Sequence, residues 1–369
     1  MNDKHILIIH PTFCIRAQKQ AEGLLNLFPN IKMTILCNTS YQRSGVNKKL
    51  YSRANIIHFN FQRGMFYRSW YKLKLKFLIK GVDIIHCHNE PNYHILDTIK
   101  VVGDKIPIVY DIHDFTTMRS GNNSKLEKEV YIGSSAIIHV SENFVKYGEE
   151  KYGEKKSEVI FSTPTKEYFS DKPLKFKKNN YYNFVYEGGI VDREFCEEEK
   201  YVLFSYRDYY KIFSEILNEG HSINLYTPTP IEELPSYVKL EKDFNNFHIH
   251  DPLPYKELIK KMYDYDVGIT GFNFDNINEE YRLQYLNSAM GNKLFDYICA
   301  SIPAIVINAK EMSNFVEKYN CGVTKKNRET WTDAVNRIKI ESANFSLVKD
   351  KYCMENQVQV LSNLYESLK

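Results

Sequence analysis

The chain has 369 residues, 43% hydrophobic and 26% charged, enough for two domains at roughly 100–200 residues each and incompatible with a disordered or fibrous polypeptide. Its 49 basic and 46 acidic residues leave a net +3, too balanced for a protein whose whole surface grips nucleic acid, so no nucleic-acid partner is expected. Seven scattered cysteines (14, 37, 87, 196, 299, 321 and 353) include no C-x-x-C pair, which predicts reduced thiols and a cytoplasmic setting.

The opening M-N-D-K-H-I-L-I-I-H-P has an apolar run of only Ile6 to Ile9, short of the roughly 7–15 residues of a signal-peptide core. The longest uncharged stretch, 297–309, contains Pro303 and falls below the about 20 residues of a bilayer span. Neither an export signal nor a transmembrane helix is expected. In the first half, short apolar runs at 5–10, 32–37, 55–59, 83–88, 106–112, 136–140 and 158–161 read as strands, with amphipathic stretches in most gaps read as helices. One helix is predicted over 12–27, and Ser141 is placed as the N-cap of another.

The stretch 163–182 is polar, with Pro164, Pro173 and five lysines, and marks a domain boundary. Beyond it the alternation restarts: strands at 183–186, 222–226, 248–250, 267–270 and 304–307, and helices at 206–218, 255–263 and 291–300. The expected class is α/β, two Rossmann-like doubly wound domains facing a central cleft. The expected divisions are 1–170 for the first domain, 171–182 for the linker, 183–350 for the second, and a helix within 351–369 packing back toward the first. Ligands in such sheets sit at the carboxyl ends of the strands.

Most compact catalytic motifs are absent. There is no G-x-x-x-x-G-K-[ST], G-x-S-x-G or H-E-x-x-H, so P-loop, α/β-hydrolase and zincin chemistry lose their usual entry points. Asp264-Tyr265-Asp266 has the form of a metal-holding D-x-D, but it precedes a strand, the wrong end for a ligand. His86-Cys87-His88 pairs two imidazoles at a strand end without matching third and fourth ligands; no metal is expected.

The segment Tyr186-Glu187-Gly188-Gly189-Ile190-Val191-Asp192-Arg193 follows the first strand of the second domain. Gly188 and Gly189 permit positive φ and close approach to a phosphate, and Arg193 offers a bidentate donor. Further on, Gly291-Asn292 would open a helix whose free N–H groups favour an anion, Lys293 adds charge, and Asp296 could accept from vicinal sugar hydroxyls. The segment 61–80 carries six basic residues and no acid, with Phe66, Trp70, Leu73 and Phe77 at helical spacing on one face. It reads either as a helix on an anionic membrane surface or as a crossover helix packing that face on its sheet.

The run N-K-L-F-D-Y-I-C-A-S-I-P-A-I-V beginning at Asn292 resembles the N-K-L-F-E-Y segment of GT-B-fold, family-4-like bacterial glycosyltransferases, and Y-E-G-G-I-V-D-R resembles their Y-x-G-x-(x)-x-x-R loop. The segments from Asp83 to Asn89, from Val109 to Asp114, Val140-Ser141 and the strand beginning Asp266-Val267 match in order, so the resemblance spans nearly the whole chain. It implies transfer of a sugar from a nucleotide-activated donor to a cell-envelope glycan or lipid-linked acceptor. It places Gly188 to Arg193 on the donor diphosphate beside Asn292 and Lys293, His250 near the base, and His113 over the donor sugar. Asp296 stands where the family's ribose-binding glutamate stands, one methylene shorter. Arg16 and His88 are expected on the acceptor side, although Pro11 to Arg16 replaces the family's Gly-rich loop.

Ser288 occupies the position of a glutamate found in many retaining members. Inversion would need a base, for which Asp114 or Glu90 could serve; retention would need no strong base there. No cofactor is expected, since the nucleotide sugar is a substrate and cations can neutralise the leaving diphosphate. Two other readings of the same architecture are a nucleotide-sugar epimerase and a non-catalytic, transferase-like partner subunit.

Overall fold

The computed structural model describes residues 1, 3–38, 48–62, 64–170, 180–275, 277–339 and 343–368; most of the expected linker, 171–179, lies outside them. Two compact units divide the chain, Met1–Thr165 with Tyr352–Lys369, and Lys166–Lys351. The division precedes the expected linker because residues 168–170 already bond within the second unit. Ser170 N–H donates to the Cys299 carbonyl, and the Tyr168 carbonyl accepts from Cys299 Sγ.

In the first unit the strands are β1 (His5–Ile9), β2 (Lys32–Asn38), β3 (Asn55–Phe59), β4 (Ile84–His88), β5 (Ile108–Asp111), β6 (Ala136–His139) and β7 (Ser157–Val159). They form one parallel sheet in the order β3-β2-β1-β4-β5-β6-β7. Runs such as Ile6 to Ile9 and Ile84-Ile85 are buried throughout, as expected of strands covered on both faces. The helices are α1 (Ile15–Leu27), α2 (Lys48–Arg53), α3 (Met65–Leu78), α4 (Asn92–Val102), α5 (Thr116–Ser120), α6 (Lys125–Gly133) and α7 (Glu142–Tyr152). Ser141 caps α7, its hydroxyl accepting from Phe144 N–H.

The second unit has β8 (Asn183–Glu187), β9 (Ser222–Tyr226), β10 (Phe247–His250), β11 (Val267–Gly271), β12 (Ala304–Ile307) and β13 (Gly322–Thr324), parallel in the order β10-β9-β8-β11-β12-β13. Its helices are α8 (Tyr210–Asn218), α9 (Pro235–Asp243), α10 (Tyr255–Met262), α11 (Glu280–Ser288), α12 (Asn292–Cys299), α13 (Lys310–Tyr319), α14 (Trp331–Asn336) and α15 (Phe345–Tyr352). The helix expected from residue 206 begins only at Tyr210, after a 3-10 turn over Val202–Arg207. The last helix, α16 (Met354–Glu366), packs in the first unit, where Met354, Val358 and Leu361 share a core with Ala17, Ala21 and Leu24 of α1.

One packing detail positions the second site. Gly268 of β11 has no side chain, and a Cβ there would lie 2.4 Å from Tyr297 Cδ2. The ring therefore lies against the sheet, where its hydroxyl donates to the Ile269 carbonyl at 3.0 Å and accepts from Glu187 N–H at 3.3 Å. Helix α12 is thus pinned across β8 and β11.

Candidate functional sites

Strand β1 pairs with β2 on one side and β4 on the other, so the chain order reverses between β1 and β4. Such a switch point is the ligand position of doubly wound sheets. His10 follows β1, His88 ends β4, Asp111 ends β5 and His139 ends β6. Asp111 is fully buried and accepts from Arg16 Nε at 3.0 Å and Gln20 Nε2 at 2.7 Å. Burial alone would raise its pKa; Arg16 and the neighbouring imidazoles outweigh that and hold it well below the ordinary carboxylate value.

Four imidazoles surround this carboxylate. His86 and His88 stack at 4.4 Å, and His10 stacks on His88 at 5.3 Å. His88 Nδ1 and His113 Nε2 share a hydrogen bond of 3.0 Å. Asp111 lies 3.8 Å from His113 Nε2, beyond hydrogen-bond length, so it is His88 that orients the His113 ring. Burial lowers the pKa of His10 and His88 well below the usual imidazole value and that of His113 to about 4, which leaves neutral rings at neutral pH. The Asn89 side chain fixes the loop after β5, accepting from His113 N–H at 2.7 Å and donating to the Asp114 carbonyl at 2.6 Å.

The first-unit residues expected to act on substrate differ in placement. His113 keeps 19% of its side chain exposed. Arg16 and His88, expected on an acceptor surface, are buried: Arg16 is turned inward to neutralise Asp111 and to donate to the Ile160 carbonyl at 2.7 Å, and His88 is closed in by the imidazole stack. Glu90 accepts two hydrogen bonds from Arg119 Nη2, at 2.9 and 3.0 Å, and one from Thr116 Oγ1. Asp114 lies 3.7 Å from the same guanidinium.

Among the described residues, two groups bring metal-ligand atoms within 4.8 Å of one another, His10–Cys14–His113 and His86–His88–Asp111. In the first, His10 already meets Thr12 Oγ1 and Cys14 N–H, and burial pushes the Cys14 thiol up to about 11. In the second, a dication would sit beside the buried Arg16 guanidinium. Asp266 accepts from Asn183 N–H at the start of β8, and Asp264 pairs with Lys261; both therefore serve local structure.

The second unit has its own reversal, between β8 and β11. Gly188 follows β8 with φ +120°, and a Cβ there would stand 2.7 Å from Lys293 Cε. Lys293 thus lies directly over the glycine turn, its Nζ 5.1 Å from the Tyr186 ring centre. Gly291 is the N-cap of α12, which has no side-chain cap bond and no acid in its first turn, so Asn292 and Lys293 open an anion-favouring helix end.

The arginine beside the turn is Arg207, which the sequence reading omitted: its Nη1 lies 3.5 Å from where a Gly189 Cβ would stand. Its guanidinium lies 5.2 Å from the Phe204 ring centre and 5.5 Å from that of Tyr206. Arg193, also expected there, opens the 3-10 turn capped by Asp192 and stacks on Tyr210 at 4.7 Å. Asp296 is buried and accepts from Tyr255 Oη at 2.5 Å. His250, on edge strand β10, stacks on Tyr226 and bonds Asn224 Oδ1 through Nε2 at 2.8 Å.

The chain matches no protein-family model and no curated protein. Solved structures do match over its full length. A glycosyltransferase from Rickettsia africae aligns at TM-score 0.68 with 13% identity, covering 100% of this chain and 99% of that one. Alr3699/HepE from Anabaena, solved in complex with UDP, aligns at 0.68 with 11% identity over 99% and 100%. The lipopolysaccharide outer core galactosyltransferase WaaB aligns at 0.64 with 11% identity over 99% of both. The fold is α/β, two parallel sheets with helices, and is GT-B.

Proposed function

We propose that the chain is a glycosyltransferase that moves a sugar from a nucleotide-activated donor to a cell-envelope glycan or lipid-linked acceptor, acting in the cytoplasm. The observation that carries this reading is the cradle at the β8–β11 reversal, where a positive-φ glycine, Lys293, Arg207 and the uncapped start of α12 converge. That combination suits a diphosphate: the glycine admits the anion to the backbone, and two cations with a helix dipole oppose the charge that grows as the glycosidic bond breaks. Lys293 and Arg207 supply that charge without a metal. The UDP bound to HepE, a protein of the same fold, favours a nucleoside diphosphate as ligand here.

His113, whose neutral imidazole follows β5 and is partly exposed, is assigned to the donor sugar near the reacting bond. Its neutrality suits a hydrogen-bond partner that strengthens as charge develops. A thermal-shift screen of UDP, GDP, CMP and dTDP tests the donor reading, since a ligand of the native state alone must raise apparent stability. No shift with any of the four would refute it, and turnover of a nucleotide sugar without an acceptor would favour an epimerase.

A further inference from the structure

Helix α3 has two apolar faces, and the first unit buries only one. Tyr71 and Leu75 are fully buried, with the Tyr71 ring among Phe59, Phe61 and His94 and its hydroxyl 2.6 Å from Thr98 Oγ1. Arg68 forks onto the buried Asp97 of α4 at 2.7 and 2.8 Å, and Lys72 reaches the same carboxylate. These contacts turn the other face outward: Phe66 is 76% exposed, Trp70 53%, Leu73 46% and Phe77 63%. At 3.6 residues per turn the four fall within an arc of about 60°, on the side of the helix away from Tyr71 and Leu75.

Lysines border this stripe, Lys76 and Lys80 along one edge and Lys74 along the other. None of the three forms an ion pair among the described residues. Residues 61–80 hold six positive charges and no acid in a chain of net +3, so the rest of the chain is net negative and the basic character is concentrated here. An exposed aromatic stripe of this extent marks an interaction surface. Its unpaired lysine borders select an anionic partner that is itself apolar beneath its charge, which is the composition of an anionic bilayer surface. No helix among the described residues is long and apolar enough to cross a membrane; α3, 14 residues long, suits lying in the interface plane.

We propose that α3 docks the protein on anionic bilayers, with Phe66, Trp70, Leu73 and Phe77 at the acyl boundary and Lys74, Lys76 and Lys80 among the headgroups. This goes beyond sugar transfer and does not depend on it. The full chain is mixed with phosphatidylcholine vesicles with and without phosphatidylglycerol, and binding is followed by co-sedimentation and tryptophan emission. Of the two tryptophans Trp331 is buried, so a blue shift quenched by brominated acyl chains reports Trp70.

The expected result is salt-sensitive binding to the anionic vesicles with that shift. It should weaken at least tenfold in Phe66→Ser/Phe77→Ser and in Lys74→Ser/Lys76→Ser/Lys80→Ser, both of which change only exposed or half-buried positions and should keep the parental circular dichroism. Equal binding to neutral vesicles, an unshifted emission, or affinity untouched by both variants would overturn the proposal. So would lipid-independent self-association abolished by Phe66→Ser/Phe77→Ser, which would make the stripe a contact between copies.

Discussion

Acidification should loosen the first unit well above the pH at which carboxylates protonate. Burial lowers the pKa of His113 and of His139 to about 4, against about 6.5 in an unfolded chain. Below about pH 6.5 the unfolded state therefore binds protons that the folded state refuses, and stability falls with pH until the folded values are reached. At pH 5 each group accounts for a loss of about 2 kcal/mol relative to neutral pH, so the pair removes up to about 4 kcal/mol from a typical 5–15 kcal/mol. The lowered values of His10 and His88 act in the same direction.

Asp111 does not enter this window. Its folded pKa is depressed, so the stability it confers is lost only as pH falls below the unfolded value of about 3.9. Hydrogen exchange read by mass spectrometry at pH 7 and 5, corrected for intrinsic rates, should show protection falling in peptides that carry β4, β5 and β6. Neither ring nitrogen of His139 has a hydrogen-bond partner among the described residues, so His139→Leu should remove about 2 kcal/mol of the acid sensitivity without unfolding the unit at neutral pH. Equal protection at both pH values, or an unchanged acid loss in His139→Leu, would refute the assignment of neutral buried imidazoles.

Arg207→Ala and Lys293→Ala should each weaken nucleoside diphosphate binding by about 1.5–3 kcal/mol, roughly 10- to 150-fold, whereas Arg193→Ala should change it little; isothermal titration with the nucleotide chosen by thermal shift separates them. Gly188→Ala should cost about 1–2 kcal/mol in unfolding free energy from its positive φ and displace Lys293, so both melting temperature and affinity should fall. His113→Ala should lower kcat far more than nucleotide affinity, since a contact that strengthens in the transition state acts on turnover; parental turnover in a folded variant would move the chemistry elsewhere. Activity should survive EDTA, and loss with rescue by Mg²⁺ would reopen the carboxylates as ligands.

Strands such as β1, β6 and β12 are legible because each is a short Ile-rich run between polar stretches, almost wholly buried. Beyond Ile307 that signal fades, and α13 with β13 went unread. Periodicity also correctly grouped Phe66, Trp70, Leu73 and Phe77 on one face of α3. It could not say which way that face points, because Tyr71 and Leu75 form a second apolar face and only the Arg68–Asp97 fork decides between them. The imidazole cluster was hidden for another reason: residues 10, 86, 88 and 113 meet only through strand order. Arg207 lies 18 residues beyond Gly189, past any local motif. Its one local signal is an arginine in an aromatic-rich run, after Phe204 and Tyr206 and before Tyr209 and Tyr210.

The two strand-order reversals share a topology yet carry opposite electrostatics, and the first turn of each explains why. After β1 the chain runs Pro11-Thr12-Phe13, with Phe13 buried, so the loop folds inward and delivers Cys14 and Arg16 to the carboxylate of Asp111. The cation is neutralised there, and burial keeps His10, His88 and His113 uncharged at neutral pH. After β8 the chain runs Gly188-Gly189, which leaves backbone space, and Lys293 and Arg207 reach that space with aromatic rings beside them. A ring beside a cation leaves its charge available to an anion. On the proposed reading, binding of the diphosphate and neutral hydrogen-bonding chemistry fall to different units, and this separation is what the contrast between Lys293→Ala and His113→Ala measures.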